Sequence, residues 1–177
     1  MRYEIVFSGS GGQGMILSGK ITAEAAATYD KMHSTQTQSY GPESRGGMTE
    51  AYVVISDEPV DYPEITKADI IVALSQSGLD RQIRHIKEDT IILIDDEFVD
   101  ASEVEQNKVY KASFTDISRD IMGSTISANM VALGMLTAVT DKISKEGMVK
   151  TMKKNVPNGT EEKNEKAFEK GFELGSK

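Results

Sequence analysis

The sequence predicts an α/β fold, a three-layer sandwich with a mostly parallel sheet and a helical C-terminal extension. Three observations carry this. The chain opens with a short apolar strand that runs straight through a glycine turn into a helical pattern. Two later runs, Ile70-Ile71-Val72-Ala73-Leu74 and Thr90-Ile91-Ile92-Leu93-Ile94, are almost purely apolar, as strands of a parallel sheet covered on both faces are. The last third then reads as helices only. At 177 residues the chain can bury a sizeable core, and 1–177 reads as one domain with terminal helices over 144–177.

Strand one covers residues 2–8, with Ile5, Val6 and Phe7 at its centre. Helix one covers 12–29, where Ile16, Leu17, Ile21, Ala25 and Ala26 fall near helical spacing. Residues 31–38 form a short polar strand, and Thr49 to Ser56 holds the β-rich run Ala51-Tyr52-Val53-Val54-Ile55. Asp57-Glu58-Pro59 and Tyr62-Pro63 mark a loop. After the strand at 69–74, Ser77 is placed to cap a helix through Ile86. The strand at 90–94 and one at 108–112 follow, then helices near 115–122, 126–141, 144–154 and 160–175. Pro157-Asn158-Gly159 is the clearest boundary signal.

Composition narrows the function. There is no cysteine, so the chain supplies no thiolate to zinc or to an iron–sulfur cluster. His33 and His85 stand apart from one another and from acidic groups, which leaves no metal motif. The net charge of −8 opposes nonspecific nucleic-acid binding. It is unevenly spread: residues 142–177 carry nine Lys against six Glu, leaving −11 for residues 1–141. The first residues already read as a core strand, not a signal segment. The longest apolar stretch, Ala128 to Val139, is too short to span a bilayer. A cytoplasmic protein without membrane contact is expected.

The first candidate site is the turn Gly9-Ser10-Gly11-Gly12-Gln13-Gly14. A glycine turn ahead of a helix N-terminus offers free N–H donors and a positive dipole end to an anion. Gly9, Gly11 and Gly14 match the spacing of a dinucleotide fingerprint, which on its own is a weak signal. A nicotinamide site adds an acidic residue at the end of the second strand, but Thr35, Gln36, Thr37 and Gln38 occupy that region. Asp30 precedes the strand, and no basic residue for a 2′-phosphate appears before Arg45. The Gly-Lys-Ser/Thr ending of a nucleoside triphosphate loop is missing too. Close packing of strand one on helix one would equally explain the glycines. No nucleophile with its base, and no carboxylate pair, stands out, so the isolated chain is expected to be inactive.

The second candidate site is Ser39-Tyr40-Gly41-Pro42-Glu43-Ser44-Arg45-Gly46-Gly47. Gly41-Pro42 enforces a turn, Gly46-Gly47 frees the backbone, and Glu43 and Arg45 project to one side of an extended piece. An Arg between glycines suits a carboxylate, a phosphate or a partner's acid. The plainer alternative is a surface ion pair of little value.

Together the two loops resemble those of the gamma subunit of 2-oxoacid:ferredoxin oxidoreductases. The similarity continues through Ile70-Ile71-Val72-Ala73-Leu74-Ser75-Gln76, through Asn129-Met130-Val131-Ala132-Leu133-Gly134, and through Asn164-Glu165-Lys166-Ala167-Phe168-Glu169-Lys170-Gly171. The resemblance implies a Rossmann-like domain in a hetero-oligomer that oxidatively decarboxylates a 2-oxoacid to its acyl-CoA and passes electrons to ferredoxin. The wording is most like the 2-oxoglutarate type, with types for branched or other 2-oxoacids, and the indolepyruvate enzymes, as alternatives. It implies thiamine-binding alpha and beta subunits and a ferredoxin-like delta subunit. Thiamine diphosphate and iron–sulfur clusters would lie on those chains, with coenzyme A nearby. Gly9, Gly11, Gly12, Gln13, Gly14, Tyr40, Gly41, Glu43, Arg45, Gly46 and Gly47 are then the residues expected to contact an anion, a cofactor or a partner. A stand-alone nucleotide-binding domain or dehydrogenase is the alternative that the first loop alone would favour.

Two further helices carry expectations. Ile126 to Val139 is apolar all round, as a helix buried on every side is, and Gly134 permits a close neighbour. In the tail, Phe168 and Phe172 lie one turn apart among Ala167, Gly171 and Gly175. That stripe is expected to dock on the chain's own sheet.

Overall fold

The computed structural model describes residues 1–41 and 47–177. Six strands form one sheet: β1 (Arg2–Ser10), β2 (His33–Tyr40), β3 (Met48–Ser56), β4 (Ile70–Ala73), β5 (Ile91–Asp95) and β6 (Lys108–Ala112). Their spatial order is β2-β3-β1-β4-β5-β6. β1, β4, β5 and β6 are mutually parallel, while β3 runs antiparallel to both β1 and β2. Five strands therefore point one way, and β3 alone opposes them.

The helices are α1 (Met15–Thr28), α2 (Gln76–Gln82), α3 (Phe114–Met122), α4 (Ala128–Val139), α5 (Lys145–Asn155) and α6 (Glu161–Gly175). Side chains alternate across a strand, so Ile5 and Phe7 of β1 join Val53, Ile70, Val72 and Leu93 beneath the large helical layer. Val6, Val54 and Ile71 face the other way. On that second face α2 is the one α-helix among the described residues that packs on the strands, and loops with Ile65, Val99 and Val104 complete the cover. The expectation of helical cover on both faces is met unevenly.

The thinner face buries charge. Glu4 accepts hydrogen bonds from the Arg2 Nε at 2.6 Å and from the backbone N–H groups of Thr66 and Lys67 at 2.8 and 3.0 Å. Glu50 accepts from the Arg81 Nε at 3.0 Å, the Gln82 Nε2 at 2.7 Å and the Tyr52 hydroxyl at 2.9 Å. Buried carboxylates persist where such donors replace water. Asp95, fully buried at the end of β5, accepts from the Thr115 N–H at 2.9 Å and so caps α3.

Two expectations need correction. Ser75, not Ser77, caps α2, through its hydroxyl and the Gly78 N–H at 3.1 Å. The α-helix ends at Gln82 and continues as a 3-10 turn over Ile83–His85. The Phe168 stripe docks on α4, not on the sheet. An added Cβ at Gly134 would lie 1.9 Å from the Phe168 carbonyl oxygen, and one at Gly171 would lie 1.8 Å from that of Val131. The two helix backbones touch, and only glycine fits at either point. α4 is thus buried by its own chain, although Ile126 falls outside it, in the preceding loop, 69% exposed.

Candidate loop site at the sheet edge

The strand order places the first glycine loop and the described ends of the second, residues 39–41 and Gly47, at one end of the sheet. Ser10 pairs with Met48, and Tyr40 with Thr49. The Gly11 N–H donates to the Gly47 carbonyl at 2.7 Å, and the Gly41 N–H to that of Met48 at 2.7 Å. Gly9, Gly11, Gly12, Gln13, Gly14, Tyr40, Gly41 and Gly47 therefore form one continuous rim. Glu43, Arg45 and Gly46 lie outside the described residues.

Three of the four glycines of the first loop each have their own reason. Gly9 faces Gln13, whose Oε1 would meet an added Cβ at 2.6 Å. Gly12 and Gly14 have φ of +89° and +77°, where a side chain is strained. At Gly14 a Cβ would also meet the Asn129 Nδ2 at 2.3 Å, whereas nothing lies within 4 Å of one at Gly12. Gly14 is hemmed in, and Gly12 faces open space.

Gln13 does something the sequence did not disclose. Its Oε1 accepts from the Ser10 N–H at 2.7 Å, and its Nε2 donates to the Leu74 carbonyl at 2.9 Å. In an open parallel sheet the ligand crevice lies where successive connections leave for opposite faces, here between β1 and β4. The Gln13 amide bridges that crevice, so both its hydrogen-bonding groups are already engaged within the chain. A second departure lies beside it. The neighbour of β1 that would follow a dinucleotide turn is replaced by antiparallel β3, and β2 is displaced to the sheet edge.

Three concavities meet at Gly12. One is lined by Gly14, Leu17, Lys20, Tyr40 and Thr49. Another, of about 140 Å³, is lined by Gln13, Phe98, Thr115, Arg119 and Thr125. The third contains Ile126, Asn129 and Thr160. Tyr40 is 62% exposed and Phe98 46%; with Ile126 they set large apolar side chains around the glycine rim. Arg119 is not waiting for an anion, because Glu97 at 3.2 Å and Asp116 both pair with it and these contacts raise its pKa, the Asp116 hydrogen bond most. Phe98 and Ile126 were not among the residues expected from sequence. The available signal was a large apolar residue following a polar run, in Asp95-Asp96-Glu97-Phe98 and in Ser124-Thr125-Ile126.

Among the described residues no group of three potential metal ligands occurs, and no helix is long and apolar enough to cross a membrane. His33 lies on β2 and His85 in the 3-10 turn, where its ring packs edge-on to Tyr52 at 6.2 Å. Burial, then the hydrogen bond to Glu50, pushes the Tyr52 phenol above its ordinary pKa.

The fold and rim define a Rossmann-like α/β domain whose nucleotide crevice is bridged by its own glutamine and whose loop edge is apolar and exposed. The chain belongs to the pyruvate ferredoxin/flavodoxin oxidoreductase family, which it matches over residues 4–174. It is 49% identical over 176 residues to the 2-oxoglutarate synthase subunit KorC of Methanocaldococcus jannaschii, covering 98% of this chain and 94% of that protein. The crystal structure of a keto/oxoacid ferredoxin oxidoreductase gamma subunit from Geobacter sulfurreducens has a TM-score of 0.89 and 41% identity, with 99% of this chain and 97% of that one covered. The 2-oxoglutarate:ferredoxin oxidoreductase from Magnetococcus marinus, solved with 2-oxoglutarate, coenzyme A and succinyl-CoA bound, shares the fold at TM-score 0.88 and 24% identity. That match covers 98% of this chain but 31% of the longer one.

Proposed function

We propose that this chain is the gamma subunit of a multisubunit 2-oxoacid:ferredoxin oxidoreductase, inactive alone, and that the acid is 2-oxoglutarate. The near full-length identity to a 2-oxoglutarate synthase subunit carries the reading. The chain's own chemistry supports it. It has no cysteine for a cluster, and its buried carboxylates serve as structural acceptors and caps.

The work of such a chain is to present a surface. The rim of Gly9, Gly11, Gly12, Gln13 and Gly14 with Tyr40, Gly41 and Gly47 meets thiamine-binding alpha and beta chains, and Glu43, Arg45 and Gly46 contact an anion, a cofactor or a partner. Gln13 holds the first loop in shape, while Gly12 lets another backbone or the coenzyme A thiol acceptor approach. A ferredoxin-like delta chain carries the clusters, and 1–177 serves as a single domain with terminal helices over 144–177. The assembly's thiamine diphosphate supplies the carbanion chemistry of decarboxylation; this chain's residues hold partner and acceptor in position.

The test is reconstitution. The companion chains of such an enzyme are purified with and without this one, and coenzyme A-dependent ferredoxin reduction is followed with 2-oxoglutarate and with pyruvate. Activity should require this chain and favour 2-oxoglutarate. Full activity without it would sink the subunit reading, and a preference for pyruvate would sink the substrate assignment.

A further inference from the structure

The two edge strands of the sheet, β2 and β6, are built differently. β6 is five residues long and carries Lys108 and Lys111. Short length and charge keep an edge from pairing with another chain. β2 has neither device. It runs eight residues, His33-Ser34-Thr35-Gln36-Thr37-Gln38-Ser39-Tyr40, without Lys, Arg, Asp, Glu or Pro. It matches β3 residue for residue, so no bulge twists it away.

The ladder shows which groups this edge presents. The Gly41 N–H donates to the Met48 carbonyl at 2.7 Å, one step beyond the pair of Tyr40 with Thr49. Hydrogen-bonded pairs alternate along antiparallel strands, so Thr35, Thr37 and Ser39 exchange bonds with β3. Ser34, Gln36, Gln38 and Tyr40 turn their N–H and C=O groups outward, where they meet no partner among the described residues. The helices leave the edge open: α1 lies chiefly over β3, and α2 over β1 and β4.

We propose that two copies of this chain join by antiparallel pairing of their β2 edges about a two-fold axis. An isologous contact needs a self-complementary patch, and an uncharged strand brings no like charge to face itself. Among the described strands, β2 is also the one that offers a second copy a matching long, uncharged edge. The register that engages all four outward residues sets Gln36 of one copy against Gln38 of the other, and Ser34 against Tyr40. The axis then passes at Thr37, perpendicular to the sheet, and both large helical layers stay on one side. Three strand spacings, about 14 Å in all, separate α1 from its copy, which exceeds a helix diameter of about 10–12 Å. The two glycine rims lie at opposite ends of the joined sheet, open to companion chains. This contact goes beyond the subunit reading, since it needs no companion chain.

Sedimentation equilibrium of the purified full-length chain, across about 1–100 μM, should show a reversible dimer. Gln38→Pro removes an outward N–H and leaves the β3 ladder intact. Thr37→Lys sets two like charges face to face at the axis. Each should weaken the dimer by about tenfold or more, since every change occurs in both copies. The chain has no cysteine, so Thr37→Cys adds a single thiol. At the axis two such residues would sit about 4.5 Å apart at Cα, within disulfide reach. Mild oxidation should crosslink Thr37→Cys into a covalent dimer, and Thr35→Cys far less, because that position opposes Ser39 of the other copy. A monomer throughout that range, a dimer unmoved by both Gln38→Pro and Thr37→Lys, or equal crosslinking at 35 and 37 would overturn the proposal. So would protection of the β2 amides that arises only on adding companion chains, which would assign the edge to them.

Discussion

Gly12→Ala and Gly14→Ala should separate the outward role of the first loop from its internal one. Both glycines have positive φ, +89° and +77°, so each alanine incurs about 1–2 kcal/mol of backbone strain. At Gly12 nothing else is added, because no atom lies within 4 Å of the new methyl. At Gly14 the methyl would lie 2.3 Å from the Nδ2 of buried Asn129. Overpacking of that kind costs about 1–3 kcal/mol more. In a chain of this size each kcal/mol lowers the melting temperature by about 2–4 °C. Gly12→Ala should therefore lose about 2–8 °C and Gly14→Ala about 4–20 °C. Turnover of the reconstituted complex should show the opposite emphasis. Gly12→Ala, folded at the assay temperature, should still fail in assembly or turnover, because its methyl projects from the rim toward the neighbour. Differential scanning calorimetry beside ferredoxin reduction checks both. Equal thermal losses for the two variants, or full complex activity for Gly12→Ala, would refute the reasoning.

Other consequences follow from single contacts. Gly171→Ala gains helix propensity yet should destabilise by about 3 kcal/mol, because its methyl would lie 1.8 Å from the Val131 carbonyl oxygen; an unchanged urea midpoint would contradict the backbone contact. Arg45→Ala should weaken assembly by about 2–5 kcal/mol if it meets a desolvated partner charge, with the free subunit's melting temperature unmoved; pull-down at the wild-type level would remove Arg45 from the candidate contact residues. Alkali should destabilise the chain. Burial raises the pKa of Tyr3 and Tyr52, and the Asp69 hydrogen bond raises that of Lys87. The fold thus favours the protonated forms, and their contribution is present below about pH 10 and fades above it. Melts from pH 8 to 11.5 should show the loss, and Tyr52→Phe should lessen it; a steeper loss in that variant would exclude the phenol as a source.

Local pattern settled much of this protein and long-range pairing settled the rest. The apolar runs at 70–74 and 90–94 specify buried strands, because alternation is lost only where both faces are covered. The glycines at 9–14 specify a strand-to-helix turn, since positive φ at Gly12 and Gly14 is a property of the residue itself. The absence of cysteine fixed what the chain could not carry, and the paired loops pointed to the family before any coordinate did. Tertiary structure decided other things. β3 inserts between β1 and β2, a choice among strand neighbours far apart in sequence. The Gln13 amide reaches Leu74, 61 residues away, and so bridges a crevice that the glycine spacing alone leaves open. The Phe168 stripe could have met a sheet or a helix, and Gly134 and Gly171 selected the helix by allowing two backbones to touch. Ser75 and Ser77 are equally good caps in sequence, and only the end of β4 determines which one meets the first turn. Each of these outcomes depends on which surfaces meet after the chain has folded back on itself, and residue spacing carries no information about that.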